Sequence, residues 1–199
     1  MPTQKVPSKE QIQALPRWAK VALAARCAAR VIPLFLAHWR SVPREHLGAL
    51  LDAIQFAERS SQEDANLRNE RYDAAQKAKR VCQLAKSVHY ASYSAAHSAW
   101  QAASAASSPD ADFENSYFAV VSSNLAVAAA GERALLVDYG RHPIDFSWEE
   151  DLACPEIGND YGFISKISEA EQWSEDTRVP SGFFGPFWPH RPPDWWPNS

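Results

Sequence analysis

The sequence predicts an all-α fold: a mostly antiparallel bundle of about six helices, followed by an irregular proline- and tryptophan-rich strap. Three observations predict it. Alanine supplies 33 of 199 residues and glycine only 7, a balance that favours helix over tight β-turns. Apolar residues recur at steps of three and four along most of the chain, the period of one helical face. Helix-start signals and prolines divide that pattern into segments. A chain of this length hides roughly 70% of the surface its unfolded form exposes, enough for a sizeable core. The expected organisation is a bundle domain over 1–176 and an extended aromatic strap over 177–199 packed on it.

Taken in order, Ser8-Lys9-Glu10-Gln11 has the spacing of a capping box, and a short helix should follow and stop before Pro16. From Pro16, which suits a first helical turn, the residues Trp18, Val21, Ala25, Ala28, Ile32, Phe35 and Trp39 form one apolar stripe. Arg17, Lys20, Arg26, Arg30 and Arg40 lie off it, and Pro33 predicts a kink or break near residue 30. Leu47, Leu50, Leu51, Ile54 and Ala57 mark the next helix, ending near Ser60 and Ser61. There Ser60-Ser61-Gln62-Glu63 again has capping-box form. Small residues then recur at Ala74, Ala78, Cys82, Ala85, His89, Ser92, Ala96, Ala99, Ala103 and Ala106. A stripe this narrow lets two helices approach near the lower end of the usual separation of about 8–10 Å. The span exceeds the common helix length, which places a turn or kink inside it, at Ser87 or Ser92. Ser108-Pro109-Asp110 starts a further helix through Phe113, Tyr117, Val121, Leu125 and Ala128 towards Val137, with Gly131 a weak point and Gly140 a stop. Ser147-Trp148-Glu149-Glu150 caps one more short helix, and Ile157 to Trp173 forms a last periodic set. From residue 180 six prolines fall among Phe183, Phe184, Phe187, Trp188, Trp195 and Trp196. That composition forbids helix, and rings of this size are costly to leave in water. A strap on the bundle is favoured over a ligand offered to a partner's groove.

Composition excludes several functions. No uninterrupted apolar run approaches the roughly 18–20 residues that span a bilayer, and Met1-Pro2-Thr3-Gln4-Lys5 leads into polar sequence. A secreted or membrane-spanning protein is therefore not expected, and a cytoplasmic one is. Cys27, Cys82 and Cys154 form no CxxC, and free thiols serving as small apolar residues are expected. The net charge of −4 disfavours nucleic acid as a partner. The charge is uneven. Residues 1–137 carry 16 basic and 12 acidic groups, and residues 138–199 carry 4 and 12. The acidic part is read first as a solvated surface; the alternatives are that it folds back on the basic helices or meets a basic partner.

The chain has no GxGxxG, no Walker loop, no HExxH, no GxSxG and no EF-hand loop. The residual candidate for chemistry is the face Cys82, His89, Tyr93, His97 and Trp100. His89 and His97 lie about 12 Å apart along a helix axis by the 1.5 Å rise, too far to share one ion. A metal would need ligands from a second helix, near His38 or His46, and polar groups at a helix seam are the expected reading. Carboxylates at Glu149, Glu150 and Asp151 and at Glu169, Glu171, Glu175 and Asp176 sit in runs at expected helix ends, where dipole and solvation account for them. No catalytic, metal or cofactor residue is assigned.

Two stretches, Leu15-Pro16-Arg17-Trp18-Ala19 and Cys27-Ala28-Ala29-Arg30-Val31-Ile32-Pro33-Leu34-Phe35, carry a resemblance. With Asp52-Ala53-Ile54-Gln55-Phe56-Ala57-Glu58 and the alanine ladder from Ala74 to Ala106, they resemble alanine-rich bacterial immunity proteins of polymorphic toxin systems, over about residues 15–130. The tail from Thr177-Arg178-Val179-Pro180 to Phe187-Trp188-Pro189 is similar to other bacterial proteins of uncharacterised function. The resemblance implies a cytoplasmic, non-catalytic helical protein that binds another protein, such as a toxin, and it transfers no catalytic residue. The expected function is thus a protein-binding module without cofactor. The candidate contacts are Glu149, Glu150, Asp151, Trp188, Trp195 and Trp196. A scaffolding homo-oligomer packed through the alanine seam is the alternative, and an enzyme with an unrecognised site the second. The sequence leaves the oligomeric state open.

Overall fold

A computed structural model describes residues 8–63, 68–108, 112–131, 173–180 and 183–184. Among them are six helices and no strand: α1 (Lys9–Gln13), α2 (Arg17–His38), α3 (Arg44–Gln62), α4 (Arg68–Ala85), α5 (Tyr90–Ser107) and α6 (Asp112–Gly131). The expected all-α bundle is what forms. Short connections over 39–43 and 86–89 turn α2 into α3 and α4 into α5, the connection length of antiparallel neighbours. The expected helices beyond residue 131, the site residues Glu149, Glu150 and Asp151, and the tail tryptophans Trp188, Trp195 and Trp196 lie outside the described residues.

The capping box at Ser8 forms as its spacing predicts. Ser8 Oγ accepts from the Gln11 amide, and Gln11 Oε1 accepts from the Ser8 amide. Helix α2 departs from expectation in two ways. It passes through Pro33 without a break. A proline removes one ladder bond and crowds the carbonyl four residues back. Pro33 itself is exposed, while Val31, Ile32 and Phe35 around it are fully buried and hold the helix against its neighbours. Burial of such side chains contributes roughly 1.5–3 kcal/mol each. Nor does α2 keep a solvated cationic side. Every residue from Trp18 to Ile32 is buried, including Lys20, Arg26 and Arg30. The reason is position: α3, α5 and α6 pack on α2, and Glu175 and Phe184 contact it as well. The same burial explains why α2 is the one described helix long and apolar enough to cross a membrane, since the core helix of a bundle has that composition too. Counting uninterrupted apolar residues missed it, because Arg26 and Arg30 interrupt the run.

The capping-box expectation at Ser60-Ser61-Gln62-Glu63 is not met. Ser60, Ser61 and Gln62 are the last residues of α3, and Ser61 Oγ donates to the carbonyl of Glu58. Both serines are fully buried, so tertiary packing overrides the local signal. The small-residue stripe is cut at 86–88, at Ser87 rather than Ser92. Ala74, Ala78, Cys82 and Ala85 lie on α4, and Ser92, Ala96, Ala99, Ala103 and Ala106 lie on α5, all buried. One stripe in sequence has become two facing stripes of a helical hairpin. The turn moves His89 out of the helix, where it is the N-cap of α5 and exposed.

The seam between α5 and α6 is lined with buried hydroxyls. Ser98 and Ser123 lie 2.7 Å apart, each 2.8 Å from the carbonyl of Ala119. With one proton apiece, one hydroxyl donates to that carbonyl and accepts from the other. Serine satisfies itself this way at almost the volume of alanine, which keeps the helices close.

The described strap residues lie against α2 and α3. The Val179 amide donates to the carbonyl of Ser61 (2.9 Å), and the Arg178 guanidinium donates to that of Ser60. These are carbonyls of the last turn of α3, which lack partners within the helix. Arg178 also lies 3.5 Å from the ring centroid of Trp18. Glu175 accepts from the Arg17 amide (2.8 Å) and sits 3.9 Å from Lys20 Nζ at the α2 N-terminus, where a carboxylate complements the helix dipole. Arg26 donates to the carbonyl of Phe184, whose ring is buried. Of the acidic groups beyond residue 137, Glu175 meets the start of α2 while Asp176 stays exposed, and the others lie outside the described residues.

Candidate binding surface at the turn end of the bundle

The α2–α3 and α4–α5 turns meet at one end of the bundle and bring the candidate histidines together. His38, in the last turn of α2, stacks on His89 with ring centroids 4.2 Å apart and planes 6° from parallel. Trp39, the C-cap of α2, packs edge-on to buried Phe35 at 5.5 Å and tilts against His46 at 5.9 Å. Tyr90 and Tyr93 stack at 6.1 Å on the first turn of α5. Ser92 Oγ reaches the carbonyl of Phe35, which ties α5 to the end of α2. A metal would have needed further ligands from a second helix near His38 or His46; His38 does come to His89, but as a stacked ring and not as a second ligand. Sequence spacing could not show that the rings would stack face to face.

Each group has a structural occupation. His89 Nδ1 accepts from the Ala91 amide (3.1 Å) and caps α5, so Nδ1 carries no proton in this arrangement. His97 faces α6. Its Nδ1 lies 2.7 Å from Ser122 Oγ, its Nε2 lies 3.2 Å from the Gln101 amide nitrogen, and Trp100 packs edge-on at 5.2 Å. With the amide nitrogen donating, the ring accepts at Nε2 and donates from Nδ1 to Ser122. Lys79 lies over the Trp100 ring at 5.2 Å and joins α4 to this seam. Cys82 and Cys27 are buried free thiols, and burial pushes the Cys82 thiol up to about 12 despite Lys86 nearby. A thiol held protonated in this way is a packing group, not a nucleophile. Tyr93 is raised by burial and then by Cys82 and Tyr90.

Two chemical readings can be tested on this geometry. For a metal, an ion binds in the plane of an imidazole. One ion cannot lie in the plane of both His38 and His89 while the rings are stacked. Among the described residues no group of three His, Cys, Asp or Glu is placed to hold one. For a nucleophile, Ser122 and His97 are within hydrogen-bond reach, as a base-activated hydroxyl requires. Ser122 is nevertheless a buried residue in the middle of α6, where backbone amides are committed to the helix ladder and none is left to stabilise an oxyanion. What the arrangement does provide is a rigid end surface of half-exposed rings, beside Leu84 and Val88, which are 49% and 43% exposed.

The histidines make a pH prediction. Burial, and then His89, lowers the pKa of His38, and burial lowers that of His97. A folded-state pKa below the unfolded value means that the unfolded chain binds protons first. Stability should therefore be complete above about pH 6.5 and fall as the pH drops through the depressed values. Thermal unfolding read between about pH 7 and 5, above most carboxylate titration, should show this fall. His38→Gln with His97→Gln should flatten it; an unchanged slope would show that other groups control acid sensitivity.

No protein-family model, curated protein or solved structure matches the chain. By its fold it is an all-α helical bundle.

Proposed function

We propose that this chain is a non-catalytic, protein-binding helical module, an immunity-type protein that neutralises a toxin partner in the cytoplasm. The observation that carries the reading is the turn-end surface. Tryptophan, tyrosine and imidazole rings stand half-exposed there, locked by stacking and by a helix cap on a packed scaffold. Rigid aromatic side chains that lose little freedom on contact are the groups that concentrate binding energy at protein interfaces. Functional groups set on helix ends rather than long loops are also held in register. The resemblance over residues 15–130 gives the immunity assignment, and the acidic residues Glu149, Glu150 and Asp151 with Trp188, Trp195 and Trp196 remain candidate contacts. The reading is tested by co-expression with the product of the neighbouring gene. A stable complex in calorimetry and loss of toxicity are the expected results. Absence of both a complex and protection would overturn it.

A scaffolding homo-oligomer is the second reading. The alanine seam on which it was based is buried between α4, α5 and the rest of this chain, so a second copy would have to use another face. Light scattering that gives one mass at all concentrations would remove it.

A further inference from the structure

Exposed charges of both signs are spread over the described residues, but cations cluster locally on the second half of α4 and the turn that follows it. From Ala74 to Pro109 the sequence contains four lysine or arginine residues and no aspartate or glutamate, within a protein of net charge −4. Lys79 of these lies over Trp100. The other three, Lys77, Arg80 and Lys86, are exposed. Asp73, Lys77, Arg80 and Leu84 follow one another at steps of four, three and four, so they share one outward stripe of α4 that begins on a carboxylate and runs through two cations into Lys86 and Val88 in the turn. The His38–His89 stack brings the α2–α3 turn to the same end, and with it exposed Arg40 and Arg44. Glu45, in the first turn of α3, adds a carboxylate there and lies 4.0 Å from His46. The result is a surface richer in cations than in carboxylates that includes exposed Leu84 and Val88.

We infer that this stripe and turn end form a docking surface for an acidic protein segment that presents carboxylates around an apolar side. The inference rests on the protein-binding reading above and names the partner's chemistry. Leu84 and Val88 favour protein over nucleic acid, because a polynucleotide offers the cations phosphates but offers aliphatic side chains no apolar counterpart in its backbone. Cations around the rim would speed encounter and fix orientation, while the aliphatic pair supplies apolar burial.

The test uses the full chain and a labelled amphipathic helical peptide with leucine on one side and glutamate on the other. Its glutamine twin and a single-stranded oligonucleotide are the comparisons. Amide chemical shifts should move along 77–89 and 38–46 with the glutamate peptide, and the affinity should fall with added salt. Lys77→Glu, Arg80→Glu and Lys86→Glu together should weaken binding about tenfold or more while the far-ultraviolet circular dichroism is unchanged. Leu84→Ser with Val88→Ser should weaken it without changing the salt dependence. Absence of binding up to about millimolar peptide, equal binding of the glutamine twin, or stronger binding of the oligonucleotide would each overturn the inference. So would a large gain in peptide affinity in Glu149→Gln, Glu150→Gln, Asp151→Gln, since that would make the chain's own acidic segment the occupant. A toxin complex whose footprint lies elsewhere would sink this inference and leave the protein-binding reading intact.

Discussion

Replacing Ala99 and Ala103 together by leucine is expected to lower the unfolding free energy by about 2–6 kcal/mol, taking roughly 1–3 kcal/mol for each overpacked site. Both residues are fully exposed to neighbours and not at all to water: they sit at 0% accessibility on the stripe that α5 turns toward the bundle interior. Leucine is as good a helix former as the chain needs, so the loss would come from packing and not from propensity. The added methyl groups have no void to enter and must push helices apart. They would also strain the Ser98–Ser123 contact, whose 2.7 Å length depends on the α5–α6 approach. Denaturant titration measures the effect. Ala37→Leu on the exposed side of α2 is the control and should shift stability by no more than about 0.5 kcal/mol. A double variant as stable as the parent would show that the seam is loosely packed and that the alanines are there for helix propensity alone.

Trp18→Ala should cost about 3–5 kcal/mol, the range for removing a buried large aromatic side chain. Trp18 is 3% exposed, with the Arg17 guanidinium 4.3 Å from its ring centroid and that of Arg178 at 3.5 Å. It therefore joins the start of α2 to the strap, while Arg178 and Val179 bond the last turn of α3. Its loss should do more than leave a cavity. Without the ring, Arg178 loses its stacking partner and the 178–179 segment loses part of its seat. Cleavage by trypsin after Arg178 should accelerate more than the global destabilisation explains. Arg178→Lys should give a smaller loss, because a lysine keeps the charge but not the planar group that stacks and donates at once. If Trp18→Ala destabilised the protein with no change in cleavage at Arg178, the strap would be held by other contacts.

These two sites also show where the sequence could be read and where it could not. The helices were legible because each carries its signal locally. The Ser8 capping box and the period of α3 involve residues within one or two turns of each other. The serine-marked turn at 87 was legible for the same reason. The errors share a different cause. Pro33 does not break α2, Ser60 does not begin a helix, and Arg26 and Arg30 are not solvated, because in each case the surroundings come from elements far away in the chain. The candidate face was partly visible. The spacing predicts His89, Tyr93 and His97 on one helix face, which holds for Tyr93 and His97 on α5 but not for His89, the cap before it. The stack of His38 on His89 depends on two turns meeting at one end, and nothing in either turn records that meeting.

Alone, the sequence determined the class of fold, the approximate helix boundaries and the close approach along small side chains. Periodicity, propensity and capping are properties of neighbouring residues and survive without any tertiary context. Only the tertiary structure decided which helix lies at the centre, which cations are buried, and which charges remain on the outside. Those are properties of what covers a residue, and the cover here comes from positions as distant as Glu175 from Arg17 and Phe184 from Arg26.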